Sequence, residues 1–308
     1  RNTVGIIDPQ KCTFEPLAHS LAWNWQQGSM LQWFSDNEVI YNDVEDGEYV
    51  SRILDIRNGR TRTLCRPIYC LTSDRRHALS VNFARLGRER PGYGYDGLED
   101  PTIDYAHPDN DGIFVLDIER NKAELVISLD QMVRAYPREN MRETPSWFNH
   151  LLFNPSGTRF AFFHRWRRWK ENRRSHLTHM FTANLDGSDV YPLNLEDVSS
   201  HYAWFDDRRL VNFSNRFKRV NGCRTDEMNW QYYIYTDQTD KVEAVAENLF
   251  PGDGHCLPSP NGEWMVTDSY PYDDPEDARH LYLYNFNARQ GYEIGKFWAD
   301  PSYPVPTR

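Results

Sequence analysis

Short apolar runs separated by polar turns extend along most of this chain. Five segments share one order: an apolar approach, a tight polar turn and then an alternating apolar run. Each turn carries the Asp, Asn, Gly or Pro that a hairpin needs, and each following run has the period-two hydrophobicity of a half-buried strand. The segments are LQWFSDNEVIYND from Leu31, YCLTSDRRHALSVNF from Tyr69, LLFNPSGTRFAFFH from Leu151, AWFDDRRLVNFSN from Ala203 and LPSPNGEWMVTDSY from Leu257.

A second predicted hairpin follows each of these segments. The five hairpins are VSRILDIRNGRTRTL, GIFVLDIERNKAELVISL, HMFTANLDGSDVYPL, YYIYTDQTDKVEAVA and LYLYNFNARQGYEIG. Two hairpins per unit, repeated along the chain, are typical of the four-stranded blades of a β-propeller. A β-sandwich is the alternative all-β fold, but it would not naturally repeat the same two-hairpin order five times. The sequence therefore predicts an all-β propeller with five visible blade units.

The number of blades is a separate question. The tail GKFWADPSYPVPTR is rich in Pro, and the first 30 residues, which include HSLAWNW, could supply part of another blade. An open ring leaves edge strands unpaired, so a propeller must close. Either the ring is small or blades are missing, and we favour the second. We expect residues 1–308 to form one propeller domain, incomplete at its C-terminal end and part of a seven-bladed ring.

Composition narrows the functional classes. Aromatic residues make up 14% of the 308 residues, which argues against disorder, and the net charge of -10 gives no general attraction for nucleic acid or anionic membranes. No apolar run is long enough for a membrane-spanning helix. We therefore expect neither nucleic acid nor membrane as a partner. The five cysteines form no CxxC pair and imply no disulfide framework, although one bridge stays open. The compartment stays open as well, with a secreted or periplasmic location favoured.

Three long stretches between the second and third strands of their units are the places to look for a ligand site, because binding loops of propellers cluster at one face. They cover residues 84–112, 164–179 and 215–231. The middle stretch is strongly basic, with five Arg, one Lys and two His against one Glu between His164 and His176. Arg forks bind carboxylate or sulfate, and Trp faces stack on ligands.

This basic stretch has two interpretations. It either recognises an anionic ligand or is a solvated loop that pairs with acidic loops such as DGLEDPTID, and we favour the first. The surface would be extended by Arg85, Arg88 and Arg90 with Tyr93 and Tyr95. The predicted substrate-binding residues are Arg165, Trp166, Arg168, Trp169, Arg88, Tyr93 and Tyr95.

Histidines recur at one blade position. His150, His201 and His255 each lie just before the first strand of a unit, and His164 lies at the far end of its strand. A single histidine of this kind is more often structural, but equivalent positions in successive blades bring side chains together. The motifs GxSxG and HExxH and a P-loop are absent, which disfavours serine hydrolase and nucleotide chemistry.

The run HLLFNPSGTRFAFFHRW followed by THMFTANLDGSDVYPL resembles a TolB/WD40-like blade of propeller polysaccharide lyases. The resemblance is to the ulvan lyase type, and more distantly to the oligogalacturonate lyases. It covers residues 30–295 in blade order but is specific only around residues 150–216 and near DGHCLPSPNGEWMVTDSYP. It implies cleavage of a uronate-containing glycan by β-elimination.

The resemblance also implies a catalytic set. His150, His164, Tyr202 and Arg216 occupy the matching positions. Arg216 would neutralise the uronate carboxylate, while Tyr202 and one of the two histidines would share the roles of base and acid.

A divalent metal is implied by both lyase types. The ulvan type has a structural zinc site of His and Cys, for which His255 is a candidate together with Cys256 or Cys223. The oligogalacturonate type holds its metal with His and Gln, which His201 and His255 would mimic. The expected cofactor is therefore zinc, manganese or calcium, with no organic cofactor.

Three functions follow from these patterns. The leading hypothesis is a polysaccharide lyase whose partner is an acidic polysaccharide or oligosaccharide. The alternative is a non-catalytic, TolB-like propeller that binds a protein or an anionic glycan. The third is a metal-dependent hydrolase on the same scaffold.

Overall fold

The computed structural model describes residues 2–169, 172–220, 223–247, 249–250, 252–271 and 274–298. Within this part of the chain, antiparallel strands dominate and the helices are short. None of the described helices is long and apolar enough to span a membrane.

Five four-stranded antiparallel sheets, each made of consecutive strands, form the described blades. Blade 1 contains β3 (Gln32–Ser35), β4 (Glu38–Glu45), β5 (Glu48–Asp55) and β6 (Thr61–Leu64). Blade 2 contains β7 (Cys70–Leu71), β8 (His77–Ser80), β9 (Gly112–Asp117) and β10 (Lys122–Ser128). Blade 3 contains β11 (Ser146–Phe153), β12 (Arg159–Trp169), β13 (Asn172–Asn184) and β14 (Tyr191–Asn194). Blade 4 contains β15 (Ser199–Trp204), β16 (Arg209–Val220), β17 (Cys223–Thr236) and β18 (Val242–Val245). Blade 5 contains β19 (Leu257–Pro258), β20 (Trp264–Asp268), β21 (Ala278–Asn285) and β22 (Gln290–Trp298).

The two-hairpin unit is confirmed in all five blades, and the fold is a β-propeller. Turn chemistry explains where the strands reverse. Between β4 and β5, for example, Asp46 and Gly47 both have positive φ, at 50° and 80°. A two-residue hairpin turn needs this left-handed backbone, which Asp tolerates and Gly adopts without steric cost.

The first residues form a hairpin of their own. Strands β1 (Asn2–Asp8) and β2 (Thr13–Ser20) make a two-stranded antiparallel sheet. Val4 of this hairpin belongs to one apolar cluster with Val39, Tyr41 and Leu54 of blade 1. The hairpin is therefore packed on blade 1 by burial of apolar side chains.

The three predicted insertions have different structures. Residues 84–112 include most of helix α1 (Phe83–Glu89), which Asn82 caps by accepting a hydrogen bond from the Arg85 backbone N–H. Residues 164–179 and 215–231 were expected to be loops, but they lie largely within β12, β13, β16 and β17. That expectation was wrong, because hairpin strands continue beyond the other strands of blades 3 and 4. Two further short helices follow β10, namely α2 (Leu129–Ala135) and a 3₁₀-helix (Glu139–Glu143).

The chain groups into two compact units. Unit 1 comprises Arg1–Leu151, His164–Leu177 and Leu185–Ser188, and unit 2 comprises Leu152–Phe163, Thr178–Asn184 and Asp189–Arg308. The expectation of one domain over residues 1–308 stays a prediction.

Each unit has apolar cores made where blades pack face to face. In unit 1, Ile40 and Ile53 of blade 1 lie in one buried cluster with Ala78 and Leu116 of blade 2. In unit 2, a comparable cluster joins blade 4 to blade 5. Its buried members are Ala203, Val211, Phe213, Tyr232, Ile234, Ala246, Cys256, Met265 and Tyr284.

A buried arginine supplements the apolar packing of unit 2. Arg159 donates from Nε to Asp237 at 2.7 Å and from Nη2 to Thr182 at 3.0 Å. It also contacts Asn184 and Asp189 through Nη1. Arg159 and Asp237 are both buried, so each charge depends on the other for compensation.

Arg159→Met should lower the free energy of unfolding by about 3 kcal/mol, because the buried Asp237 carboxylate loses its cation. The double variant Arg159→Met/Asp237→Leu should recover much of that loss, since no buried charge remains uncompensated. Chemical denaturation followed by tryptophan fluorescence measures both. A double variant no more stable than the single one would contradict this account.

Candidate functional site

Two histidines of unit 2 lie side by side. His201 is the third residue of β15, and His255 lies two residues before β19, so both lie near the start of the first strand of their blade. Their ring centroids are 4.0 Å apart. The prediction that equivalent blade positions bring histidines together is confirmed for this pair.

Each imidazole of the pair has its own carboxylate. Nδ1 of His201 lies 3.0 Å from Oδ1 of Asp253, whose other oxygen accepts a hydrogen bond from the Ser200 hydroxyl. Nδ1 of His255 lies 3.0 Å from both carboxylate oxygens of Asp268. An ionised carboxylate can only accept a hydrogen bond, so each Nδ1 carries a proton. In a neutral ring, Nε2 then has a lone pair that can accept a hydrogen bond or bind a cation.

Tyr270 adds a hydroxyl to this group. Its Oη lies 3.3 Å from Nε2 of His201, and its ring centroid is 5.9 Å from the centroids of both histidine rings. Because Nδ1 of His201 donates to Asp253, its Nε2 accepts the Tyr270 proton. The result is a hydrogen-bonded series from Tyr270 through His201 to Asp253.

A cation lies next to Tyr270. The guanidinium carbon of Arg279 is 5.7 Å from the centroid of the Tyr270 ring, and Arg279 is half-buried. Among the described residues, no carboxylate lies within ion-pair distance of this guanidinium. Its charge is thus available to an anionic group that reaches the ring.

A glycine allows the two segments of the site to meet. A Cβ on Gly254 would lie only 1.8 Å from the carbonyl oxygen of Asp268. This close approach lets the His255 backbone N–H donate to Oδ1 of Asp268 at 2.6 Å. It also places the Gly254 carbonyl where the Tyr232 hydroxyl donates to it, at 3.2 Å. Only glycine fits at position 254, because any side chain would collide with the Asp268 carbonyl oxygen.

The pair of His255 and Asp268 shifts both pKa values. The hydrogen bond to Asp268 raises the pKa of His255 above its ordinary value, against the opposing effect of partial burial. Burial alone would raise the pKa of Asp268, but hydrogen bonds from the His255 ring and backbone lower it overall. His255 therefore takes up a proton more readily than a free histidine does.

The two histidines fit a divalent cation in part. A carboxylate on Nδ1 and an outward Nε2 are the arrangement that metal-binding histidines usually have. However, the described residues contain no group of three His, Cys, Asp or Glu side chains that could hold a metal. Any cation would need water or a ligand to complete its coordination.

The cysteines predicted to accompany His255 give no further ligand. The Cys256 thiol is buried 3.7 Å from the His201 carbonyl oxygen, and burial raises its pKa, which favours the protonated thiol over the metal-binding thiolate. The side chain of Cys223 lies outside the described residues.

Two of the predicted substrate-binding aromatics lie in the interior of unit 1. Trp166 is fully buried and donates from its indole N–H to Asn140 at 3.0 Å. Tyr95 is also buried, stacks on Phe83 and accepts a hydrogen bond from Asn42. Both side chains contribute to packing in this structure.

The predicted basic surface divides into a buried and an exposed part. Arg165 is buried, and Arg88 is bound to Asp100 at 2.8 Å. The neighbouring Arg167 pairs with the buried carboxylate of Glu89 at 2.6 Å. A separate exposed part consists of Arg168 and Trp169, whose guanidinium and ring are 5.4 Å apart. Much of this cationic stretch therefore holds unit 1 together.

The predicted catalytic residues of unit 1 have different surroundings. His164 is fully buried, with its ring 5.4 Å from Phe148. His150 is half-buried, with a positive φ of 51°. Its backbone N–H donates to the hydroxyl of Tyr69, whose pKa burial raises to about 12. Tyr93 contacts the His150 ring edge to face at 5.3 Å.

The predicted catalytic residues of unit 2 are packed against blade strands. The Tyr202 hydroxyl donates to the Ala161 carbonyl at 3.0 Å, and its ring contacts Phe163. The Arg216 guanidinium lies 5.6 Å from the Tyr235 ring centroid and 5.9 Å from that of Tyr233. The catalytic roles of His150, His164, Tyr202 and Arg216 stay predictions.

Several residues of the histidine site were missed by the sequence prediction. They are Ser200, Asp253, Asp268, Tyr270 and Arg279. A signal was present, since Asp253 stands two residues before His255 and Asp268 two residues before Tyr270, at the two ends of the first hairpin of blade 5.

Comparisons with known proteins show the fold. No family model matches the sequence, and no curated protein sequence matches it. An oligogalacturonate lyase in complex with manganese has a similar structure, with a TM-score of 0.58 and 12% identity over 97% of this chain and 73% of that chain. The tricorn protease gives a TM-score of 0.54 and 12% identity over 86% of this chain, which spans only 26% of the protease chain. TolB from Acinetobacter baumannii gives a TM-score of 0.43 and 12% identity over 94% of this chain and 58% of that chain. Likeness at this identity shows the β-propeller fold alone.

The pair of His255 and Asp268 should make stability depend on pH. The raised pKa of His255 makes a contribution to the free energy of unfolding that is complete below about pH 6.5 and is lost as pH rises through the folded-state pKa. The lowered pKa of Asp268 makes a contribution that is present above about pH 4 and is lost as pH falls through the folded-state pKa. The wild-type advantage over His255→Gln should thus be largest between these limits. It should stay below about 1 kcal/mol, because the pair is partly exposed. Denaturation across pH measures it, and a pH-independent difference would refute the assignment.

Gly254→Ala should separate the two segments of the site. The added methyl group cannot share space with the Asp268 carbonyl, so we expect a loss of about 1–3 kcal/mol in unfolding free energy. The pKa of His255, followed by NMR, should return towards its ordinary value. Gly291→Ala is the matched control in the same unit, because its Cβ would meet Leu249 at an ordinary contact distance of 3.5 Å. An unchanged His255 titration in Gly254→Ala would contradict this reasoning.

Proposed function

We propose that this chain is a β-propeller polysaccharide lyase that cleaves a uronate-containing glycan, and that the histidine site of unit 2 performs the reaction. The observation that carries the proposal is the hydrogen-bonded series of Tyr270, His201 and Asp253 beside His255. Tyr270 with His201 supplies a proton acceptor, and His255 supplies a readily protonated imidazole. Arg279 adds a cation beside Tyr270.

The reaction makes three demands on such a site. A base removes the proton from C5 of the uronate, the bond between C4 and the leaving oxygen breaks, and a double bond forms between C4 and C5. An acid returns a proton to the leaving oxygen. A cation must neutralise the uronate carboxylate, because charge builds up next to it when the C5 proton leaves.

The base is assigned to Tyr270 together with His201. The Tyr270 oxygen takes the C5 proton while its own proton passes to Nε2 of His201, 3.3 Å away. The imidazolium that forms donates from Nδ1 to Asp253, and the carboxylate stabilises its charge. Asp253 is thus a positioning residue that acts through His201.

The remaining roles are assigned to His255 and Arg279. His255 is exposed, and its raised pKa favours the imidazolium that protonates the leaving oxygen. Arg279 is assigned to the uronate carboxylate, since it lies beside Tyr270. A divalent cation held by Nε2 of His201 and His255 would also neutralise the uronate carboxylate, but it would occupy the two nitrogen atoms that these proton transfers use.

The similar fold of an oligogalacturonate lyase supports testing pectic fragments first, with ulvan and glycosaminoglycans alongside. Ultraviolet absorbance of the unsaturated product measures turnover, with and without manganese and a chelator. His201→Ala, His255→Ala and Tyr270→Phe should each reduce kcat by about 10²–10⁴-fold. Activity should fall as pH rises through the raised pKa of His255, because the acid loses its proton.

His19→Ala is the control, because His19 is an exposed histidine of unit 1 without a carboxylate partner among the described residues. His150→Ala and Tyr202→Phe complete the series. Loss of activity in these two variants alone would refute the assignment to the histidine site while keeping the lyase. Binding of a uronate polymer without any absorbance change would refute the lyase and support a non-catalytic binding propeller.

A further inference from the structure

One tryptophan of unit 1 is held on the surface by a rigid turn. Trp25 is 71% exposed, although an indole ring gains much by burial. The turn that carries it is fixed by Asn24, whose side-chain oxygen accepts from the backbone N–H groups of Gln26 at 3.1 Å and Gln27 at 2.7 Å. The backbones of Asn24 and Gly28 also exchange two hydrogen bonds. Exposure of Trp25 is thus built into the fold.

The turn is bonded to a second loop. The side-chain amide of Asn24 donates to the Tyr93 carbonyl at 2.9 Å, and the Gln26 N–H donates to the Gly92 carbonyl at 3.1 Å. Both flanks of Trp25 are therefore tied to the segment that carries Tyr93. Trp23 contacts Trp25 edge to face, with ring centroids 5.1 Å apart.

A cation completes this group. The guanidinium carbon of Arg90 is 5.2 Å from the Tyr93 ring centroid. Within the described ranges, its buried Nε has no hydrogen-bond partner and no carboxylate lies at ion-pair distance from the guanidinium. A half-buried guanidinium that lacks an anion is costly, which favours a ligand that supplies one.

We propose that Trp25, Tyr93 and Arg90 form a carbohydrate-binding platform for acidic pyranose units. The Trp25 face stacks on the apolar face of a sugar ring, and Arg90 pairs with its carboxylate. This combination selects an acidic sugar over a neutral one, because only the acidic sugar supplies the missing anion. The platform does not depend on the reaction proposed for unit 2, since it binds whether or not the glycan is cleaved.

Equilibrium binding of trigalacturonate, measured by titration calorimetry, tests the platform. The whole chain carrying His201→Ala and His255→Ala is the parent protein, so that turnover cannot obscure binding. Trp25→Ala and Arg90→Gln should each weaken binding about tenfold or more, as expected for the loss of one charged or stacking contact. Trp33→Ala is the control, because Trp33 is another exposed tryptophan of unit 1.

A neutral probe separates charge from stacking. Carboxyl-reduced trigalacturonate should bind more weakly to the parent protein and should be insensitive to Arg90→Gln while remaining sensitive to Trp25→Ala. Circular dichroism checks that Arg90→Gln folds, and the surface variant Trp25→Ala decides if it does not. Undetectable binding to the parent protein, or equal losses in Trp25→Ala and Trp33→Ala, would overturn the platform. Failure of the absorbance assay would leave this result unaffected.

Discussion

Packing of neighbouring blades face to face is the constraint on which the rest of this structure depends. A four-stranded sheet with apolar side chains on two faces is stable only when another sheet covers each face. In unit 2, the cluster around Val211, Tyr232 and Met265 meets that need between blades 4 and 5. The same packing brings the first strands of neighbouring blades side by side. His201 and His255 meet because each stands at the start of such a strand.

Local patterns predicted the blades well because turns and strand alternation depend on near neighbours in sequence. Polar contacts across the fold could not be predicted in the same way. Arg159 and Arg167 are each buried against a carboxylate, Asp237 and Glu89 respectively, that lies 78 positions away in the sequence. Nothing near an arginine in sequence specifies such a partner. The basic stretch was therefore assigned to a ligand when part of it is structural.

The candidate site shows the same division. The blade repeat predicted that His201 and His255 lie close together, because they occupy equivalent positions in successive blades. Asp253 and Asp268 were missed because their contacts with the two histidines form only when the segment around Gly254 packs against the end of β20. The role of Tyr270 could not be predicted either, because its hydroxyl contacts His201 of the neighbouring blade 4. Resemblance to lyases directed attention to His150, His164, Tyr202 and Arg216, whose roles depend on chemistry that geometry alone does not assign.

The hydrogen bond between His255 and Asp268 has a thermodynamic consequence for ligand binding. The Asp268 carboxylate favours the protonated form of the His255 imidazole, and an anion bound beside that ring favours it further. Anion binding beside His255 is then linked to proton uptake. The heat of binding must accordingly vary with the ionisation enthalpy of the buffer, and the affinity must rise as the solution becomes more acidic.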